Sequence, residues 1–136
     1  MNDVREVMIT GESGLASIGA HRDRPEYEAS RHRLVWPNGA VGYAFSAEEP
    51  ERLRGPQFDA AWVDEVAAWN NAGATWDMLQ FGLRLGDTPR LVATTTPKPV
   101  PIVKRLLTDE SCVVTRGASA PVSYTHLTLP TRCLVW

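Results

Sequence analysis

Two adjacent carboxylates, Asp64 and Glu65, follow the mostly apolar run FDAAWV at residues 58–63. Such a pair has two interpretations. The helix dipole favours carboxylates at a helix N-terminus, so the pair could simply begin a helix. Alternatively, one carboxylate could hold a metal ion while the other activates a water molecule, as nucleotide hydrolases require. Other residues predicted to lie near the pair decide between these two interpretations.

A polar cluster, Thr94-Thr95-Thr96, ends the next predicted buried strand, in the segment RLVATTTP at residues 90–97. The carboxyl ends of parallel strands meet at one edge of an α/β sheet, and ligands bind at that edge. Hydroxyl groups there could contact a phosphate or the water that attacks it. The alternative is that the threonines only reflect the strand preference of β-branched residues.

The hydrophobic patterns predict the elements that position these groups. Strands alternate with helices, which implies a parallel α/β sheet covered on both faces. We expect the second part of the first helix to begin with Thr75 as its cap, after a break near residues 70–73. The predicted strands are residues 58–63, 90–96 and 111–117, and the predicted helices are residues 65–85 and 102–107.

The first third of the chain follows a different pattern. Two β-prone runs within residues 32–46 flank Pro37-Asn38-Gly39, which predicts a hairpin. Residues 11–33 are polar and are expected to be mostly loop. Residues 3–9 read as the end of an amphipathic helix.

The composition restricts the classes of protein. The chain has 136 residues, of which 43% are hydrophobic and 22% charged, so it should form one folded domain rather than a disordered chain. A net charge of −2 gives no global positive field for nucleic acid, although a local basic face is compatible with it. Two cysteines make no disulfide framework or cysteine metal cluster. The N-terminus lacks a long apolar stretch, so we expect an intracellular protein without a signal peptide or membrane span.

The last stretch, PVSYTHLTLPTRCLVW at residues 121–136, differs in character from the rest. It resembles the translation of a transposon-end adaptor from a sequencing library. We therefore expect a non-native tail without a fixed place on the fold, in which His126 and Cys133 carry no function. The alternative is a genuine β-rich tail.

The segments LVWPNGAVGYAFSAEEPERLRGPQFDAAWVDEVAAW and TWDMLQFGLRLGDTPRLVATTTPKP make a family resemblance specific. They resemble the ATPase domain of phage terminase large subunits, the DNA-packaging motors, and are most similar to the branch found in prophages and gene-transfer-agent clusters. The resemblance covers residues 3–116. It makes residues 1–120 a partial terminase ATPase domain.

The resemblance implies a P-loop NTPase-like parallel α/β sheet of the ASCE type. It makes Asp64 the Walker B aspartate that holds Mg²⁺ and Glu65 the catalytic carboxylate for the attacking water. Thr94, Thr95 and Thr96 would form the coupling motif. Apart from the resemblance, Arg54 is a candidate phosphate sensor near the γ-phosphate, and a structural contact within its turn is an equal alternative. ATP and Mg²⁺ are the implied cofactors.

The family's Walker A loop has no counterpart in this sequence, since the glycine-containing segment GESGLASIG lacks the required lysine. The resemblance places that loop upstream, after a strand that would pair beside residues 90–95. We therefore expect the strand at residues 90–95 to lack one neighbour, and this chain alone to be inactive. The parent protein would be an ATPase, with a C-terminal nuclease domain.

The partners implied for such a parent are double-stranded DNA, the terminase small subunit, the portal protein and other copies in a homo-oligomeric ring. Its location would be the bacterial host cytoplasm, without a membrane association. A helicase-like ATPase is the nearest alternative, but there Asp-Glu is more often followed by Ala-His than by Val66-Ala67. An inactive truncated reading frame or a non-enzymatic module is a further alternative.

Overall fold

A computed structural model describes residues 8–117 and the backbone of residues 133–135. The chain divides into two compact units, Met1–Ser46 and Ala47–Trp136. Of the helix predicted for residues 3–9, the described part is Met8 and Ile9, which are helical and buried. Within the described part of the chain, no helix is long and apolar enough to cross a lipid bilayer.

The first unit contains a three-stranded antiparallel sheet of β1 (Glu26–Glu28), β2 (Arg33–Val35) and β3 (Val41–Tyr43). The predicted hairpin between β2 and β3 is confirmed. Its turn is closed by the bond from the Trp36 N–H to the Ala40 carbonyl, at 2.9 Å, and Gly39 supplies a φ of +88°. Strand β1 was not predicted, because residues 11–33 read as loop.

A charge pair connects β1 to β2 across one register position. Glu28 and Arg33 lie opposite each other, and the guanidinium forms two hydrogen bonds to the carboxylate, at 2.9 and 3.1 Å. Hydrogen bonding to Arg33 lowers the pKa of Glu28 below its usual value. A lowered carboxyl pKa means that this contribution to stability is present at neutral pH and is lost as the pH falls through that pKa.

The second unit is an α/β structure with a small parallel sheet. Its strands are β4 (Ala60–Val63), β5 (Arg90–Ala93), β6 (Cys112–Val114) and β7 (Cys133–Val135). They lie in the order β4-β5-β7-β6, and each neighbouring pair is parallel. The three strands predicted from the sequence therefore exist, although β5 ends at Ala93 and leaves the three threonines beyond it.

Two helices connect these strands: α1 (Ala72–Gly82) between β4 and β5, and α2 (Pro101–Thr108) between β5 and β6. The predicted helix over residues 65–85 is thus shorter, and its first part is a single 3₁₀ turn at Val66–Ala68. The prediction that Thr75 caps α1 is wrong. Thr75 lies inside α1, where it is 2% exposed and its hydroxyl donates to the Ala47 carbonyl at 3.0 Å.

Both helices cover the same face of the sheet. The connections from β4 to β5 and from β5 to β6 both move across the sheet in the same direction. Right-handed crossovers therefore place α1 and α2 on the same face. The two helices contact each other, and Leu91 and Ala93 are buried at 1% and 0% exposure. On the other face, Trp62 and Val113 are 39% and 38% exposed. The expected helical cover on both faces is therefore not found among the described residues of this unit.

Strand β7 changes two expectations. Residues 90–95 were expected to lack one neighbour, but β5 pairs with β4 on one side and with β7 on the other. The tail was expected to have no fixed place, whereas its residues 133–135 pair on both sides. The physical reason is that α2 carries the chain past one strand position, and the β-prone tripeptide Cys-Leu-Val fills it. Residues 121–132 and Trp136 lie outside the described residues.

We predict that Thr75→Val destabilises the second unit by about 1 to 2 kcal/mol, because the Ala47 carbonyl loses its donor while the side-chain shape is kept. Equilibrium denaturation with urea measures this change. Thr108→Val is the matched control: its hydroxyl bonds at the exposed end of α2, so the change should stay within about 0.5 kcal/mol. Equal effects of the two substitutions would contradict the assigned role of Thr75.

Candidate functional site

The parallel pairing of β4 with β5 brings Asp64 next to Thr94. Val63 and Ala93 are register partners, so the residues after them leave the sheet side by side. The Thr94 N–H donates to the Val63 carbonyl at 2.9 Å, and the Thr94 hydroxyl is hydrogen-bonded to Oδ1 of Asp64. The Thr94 side chain, just beyond β5, thus forms a hydrogen bond with the Asp64 side chain, just beyond β4.

Glu65 turns back toward the same segment through an unusual backbone conformation. Its φ of 48° and ψ of 51° lie in the left-handed region, which costs a residue with a Cβ about 1 to 2 kcal/mol. The Thr96 N–H reaches Oε1 at 3.2 Å, and the Thr96 hydroxyl reaches Oε2 at 3.0 Å. Neighbouring side chains of a regular strand face opposite ways, so this kink is what directs both carboxylates to the threonines.

The middle threonine binds the backbone that follows the acidic pair. The Thr95 hydroxyl accepts the Ala67 N–H at 2.9 Å, and the Thr94 carbonyl accepts the Val66 N–H at 3.2 Å. All three threonine hydroxyls therefore hydrogen-bond to residues 64–67. Strand preference alone does not explain these contacts, because the threonines lie beyond the end of β5.

Trp69 is a further member of the site that the sequence did not indicate. Its indole N–H donates to the Asp64 carbonyl at 3.0 Å, across the 3₁₀ turn. This hydrogen bond connects the 3₁₀ turn to the end of β4 and so supports the left-handed backbone conformation at Glu65. A tryptophan five residues after an aspartate has no recognisable pattern, and we find no signal in the sequence that could have identified it.

The helix-capping interpretation of the acidic pair finds no support. Glu65 precedes only a three-residue 3₁₀ turn, and within the described residues its side chain forms no cap hydrogen bond to that turn. The helix proper, α1, begins at Ala72. The carboxylates are instead held by hydroxyl and amide donors that arrive from the neighbouring strand.

The carboxylate oxygens of Asp64 and Glu65 suit a small, hard cation. Asp64 is exposed and Glu65 half-buried, so their oxygens are within reach of a ligand. The described part of the chain contains no cluster of three or more metal-binding side chains. Mg²⁺ does not need one, since it commonly takes one or two protein carboxylates and completes its shell with water and substrate phosphates.

The structure does not bring Arg54 to the carboxylates. Arg54 precedes β4, whereas Asp64 follows it, and the guanidinium pairs with Glu51 at 2.9 Å. Together with Met78, Phe81 and Arg84, it lines a groove at the carboxyl-terminal end of α1. The role of Arg54 as a phosphate sensor stays a prediction that no described contact supports.

The left-handed backbone at Glu65 leads to a stability prediction. Glu65→Gly should be more stable than Glu65→Ala by about 1 kcal/mol, because glycine adopts this conformation without the Cβ penalty. Both variants lose the Thr96 contacts, so that loss cancels in urea denaturation. At Arg54, where φ is −74°, the order should reverse, with the alanine variant more stable. An alanine preference at both positions would contradict the left-handed conformation.

The comparisons with known proteins identify the family. The family model described as "Terminase large subunit, T4likevirus-type, N-terminal" matches residues 1–126. Neither the curated proteins nor the solved structures gave a match. The match extends six residues into the segment 121–136. Because it covers nearly all of the 136 residues, the chain belongs to the T4-like terminase large subunit N-terminal family, and its role lies in a DNA-packaging terminase.

Proposed function

We propose that Asp64 and Glu65 form the metal- and water-binding half of an ATP-hydrolysing site in the DNA-packaging motor. One observation carries this proposal. The segment 94–96 forms hydrogen bonds to both carboxylates, at the carboxyl edge of a parallel sheet. Ligands of α/β proteins bind at such an edge. The family match gives the packaging context, and the hydrolytic chemistry is our inference from the site.

The two carboxylates have different tasks in this proposal. Asp64, the exposed member, holds Mg²⁺, whose charge when bound offsets that of the phosphates. Glu65 accepts a proton from the attacking water and orients it, and its contacts with Thr96 fix the direction of the carboxylate. Phosphoryl transfer depends mostly on positioning and charge neutralisation, so two carboxylates held at one edge suit it.

The three threonines serve as the coupling segment. They bind residues 64–67 on one side and continue through Pro97-Lys98-Pro99 to α2 on the other. A change in the hydrogen bonds of Glu65 would therefore shift Thr96, which is five residues before the start of α2. This route gives the site a covalent path to a helix on the covered face of the sheet.

The same reasoning extends to the finer identity of the chain. A strand ending in carboxylates beside a strand ending in hydroxyls supports a P-loop NTPase-like arrangement of the ASCE type. We also propose the prophage and gene-transfer-agent branch. The proposed partners are double-stranded DNA, the terminase small subunit, the portal protein and further copies in a ring, in the bacterial host cytoplasm.

We predict that this chain alone does not hydrolyse ATP, because its sequence contains no glycine-rich loop with a lysine to hold the phosphates. Phosphate release from purified protein with Mg²⁺ and ATP should equal that of the Glu65→Gln variant. Release clearly above that control would show that the chain carries a complete site.

In a full-length terminase large subunit that contains this segment, Glu65→Gln should abolish turnover but leave ATP binding largely intact, because the amide keeps the shape and loses the base. Asp64→Ala should instead weaken Mg²⁺-dependent ATP binding. Glu110→Gln, at an exposed position beyond α2, is the matched control and should leave both unchanged. If Glu65→Gln keeps turnover within about threefold, or 0.7 kcal/mol, Glu65 is not the base.

A further inference from the structure

The segment between Thr96 and α2 passes along the edge of the sheet that carries the acidic pair, and both of its ends are fixed there. At one end, the Thr96 N–H and hydroxyl donate to the Glu65 carboxylate. At the other end, α2 begins at Pro101 and contacts the 3₁₀ turn Val66–Ala68, which directly follows Glu65. Residues 97–100 therefore cross this edge close to the two carboxylates.

The backbone of this segment is folded into two tight turns. The Lys98 N–H donates to the Thr96 carbonyl at 2.7 Å, and the Val100 N–H donates to the Lys98 carbonyl at 2.8 Å. Hydrogen bonds between residues two positions apart close γ-turns. The central residues are Pro97 and Pro99, whose rings fix φ near the value that an inverse γ-turn requires. The first turn therefore holds Lys98 beside Thr96.

Lys98 is the one basic residue in the two chain segments that form this edge, residues 63–70 and 93–100. Its side chain is exposed, and none of the ion pairs among the described residues includes it. A lysine ammonium group is a compact charge with three donors on a flexible stem, and it binds phosphate oxygens well. A cation in this position is thus free to bind an anion that approaches the edge.

We propose that Lys98 is a further catalytic residue of the ATP site, and that its ammonium group contacts the γ-phosphoryl group of the bound nucleotide. This inference rests on the proposed function, because it needs a nucleotide at this edge. Phosphoryl transfer there brings negative charge close to two carboxylates. A fixed cation beside the transferring group stabilises that charge without further rearrangement.

The position of Lys98 selects the γ-phosphoryl group among the phosphates. Lys98 is joined by its γ-turn to Thr96, and Thr96 binds Glu65. In the proposed function Glu65 orients the water that attacks the γ-phosphorus. The ammonium group and the attacking water are therefore expected at the same phosphoryl group.

The alternative is that Lys98 is only a solvated surface residue, and Lys104 provides the matched control for it. Lys98 and Lys104 are the two lysines of the chain, and both are exposed. They differ in position, because Lys104 lies within α2 and not in the segment that crosses the edge. Any effect of charge or exposure alone should be equal at the two positions.

The first test is affinity labelling of a full-length terminase large subunit that contains this segment. The probe is an ATP derivative with an acyl group on its γ-phosphate. A lysine amine attacks the acyl carbonyl and loses a proton, an amide forms, and ATP leaves. Lys98 should be labelled at least about tenfold faster than Lys104, because a bound probe reacts as an intramolecular group. Peptide mass spectrometry measures both rates, and excess ATP should suppress the labelling of Lys98. Equal labelling of the two lysines, or labelling of Lys98 that ATP does not reduce, would overturn the proposal.

The second test measures turnover and nucleotide binding in the same full-length protein. Lys98→Ala should lower kcat at least about tenfold, because it removes a charge that acts on the transferring group. Its affinity for ADP should stay within about twofold of wild type, since ADP has no γ-phosphate. Lys104→Ala should match the wild type in both measurements. An unchanged kcat in Lys98→Ala, or an equal loss in the two alanine variants, would contradict the assigned role.

Failure of this inference is distinguishable from failure of the proposed function. If Glu65→Gln retains turnover, the proposed ATP site is itself wrong. If Glu65→Gln abolishes turnover while Lys98→Ala retains it, the site stands and the role of Lys98 alone is wrong.

Discussion

The register between β4 and β5 is the constraint on which the candidate site depends. Pairing Val63 with Ala93 makes Asp64 and Thr94 neighbours at the sheet edge, and the Glu65–Thr96 and Ala67–Thr95 hydrogen bonds follow from that alignment. Side chains alternate between the faces of a sheet, so a slip by one residue would reverse the orientation of every side chain on β5. It would move Leu91 and Ala93 out of the core as well. The same burial that stabilises the unit therefore holds the site together.

The cluster also shows how backbone strain is maintained where chemistry is expected. Glu65 adopts a left-handed conformation that is unfavourable for a residue with a side chain. Two sets of hydrogen bonds stabilise this conformation. Thr96 donates to the Glu65 carboxylate, and the Trp69 indole donates to the carbonyl of Asp64. Loss of the Thr96 hydrogen bonds would therefore weaken the stabilisation of the left-handed backbone at Glu65.

The second unit combines a parallel sheet with helices on one face and a strand position filled from the C-terminal end of the chain. Parallel sheets are usually covered on both faces, because their crossovers distribute helices to both sides. Here both crossovers run in one direction, and α1 and α2 lie together over Leu91 and Ala93. The exposed fractions of Trp62 and Val113 follow directly from that connectivity. The filled position between β5 and β6 follows from it too, since α2 passes over one strand.

The sequence by itself determined the features that depend on neighbours along the chain. The Pro-Asn-Gly turn, the short apolar runs of β4, β5 and β6, the helix α2 and the acidic pair were all recognisable, because turn chemistry and hydrophobic period act over a few residues. The terminase resemblance came from the same local segments. Tertiary structure decided what depends on residues far apart. It placed Thr75 in the core instead of at a cap, paired β1 with β2, inserted β7 beside β5 and kept Arg54 away from Asp64. The contacts that define the site join residues 28 to 31 positions apart. Their physical origin is strand register, which is set by burial across the whole sheet. The sequence predicted the threonines at the edge that holds the acidic pair, but neither the partner of each hydroxyl nor the contact of Trp69 could be read from it.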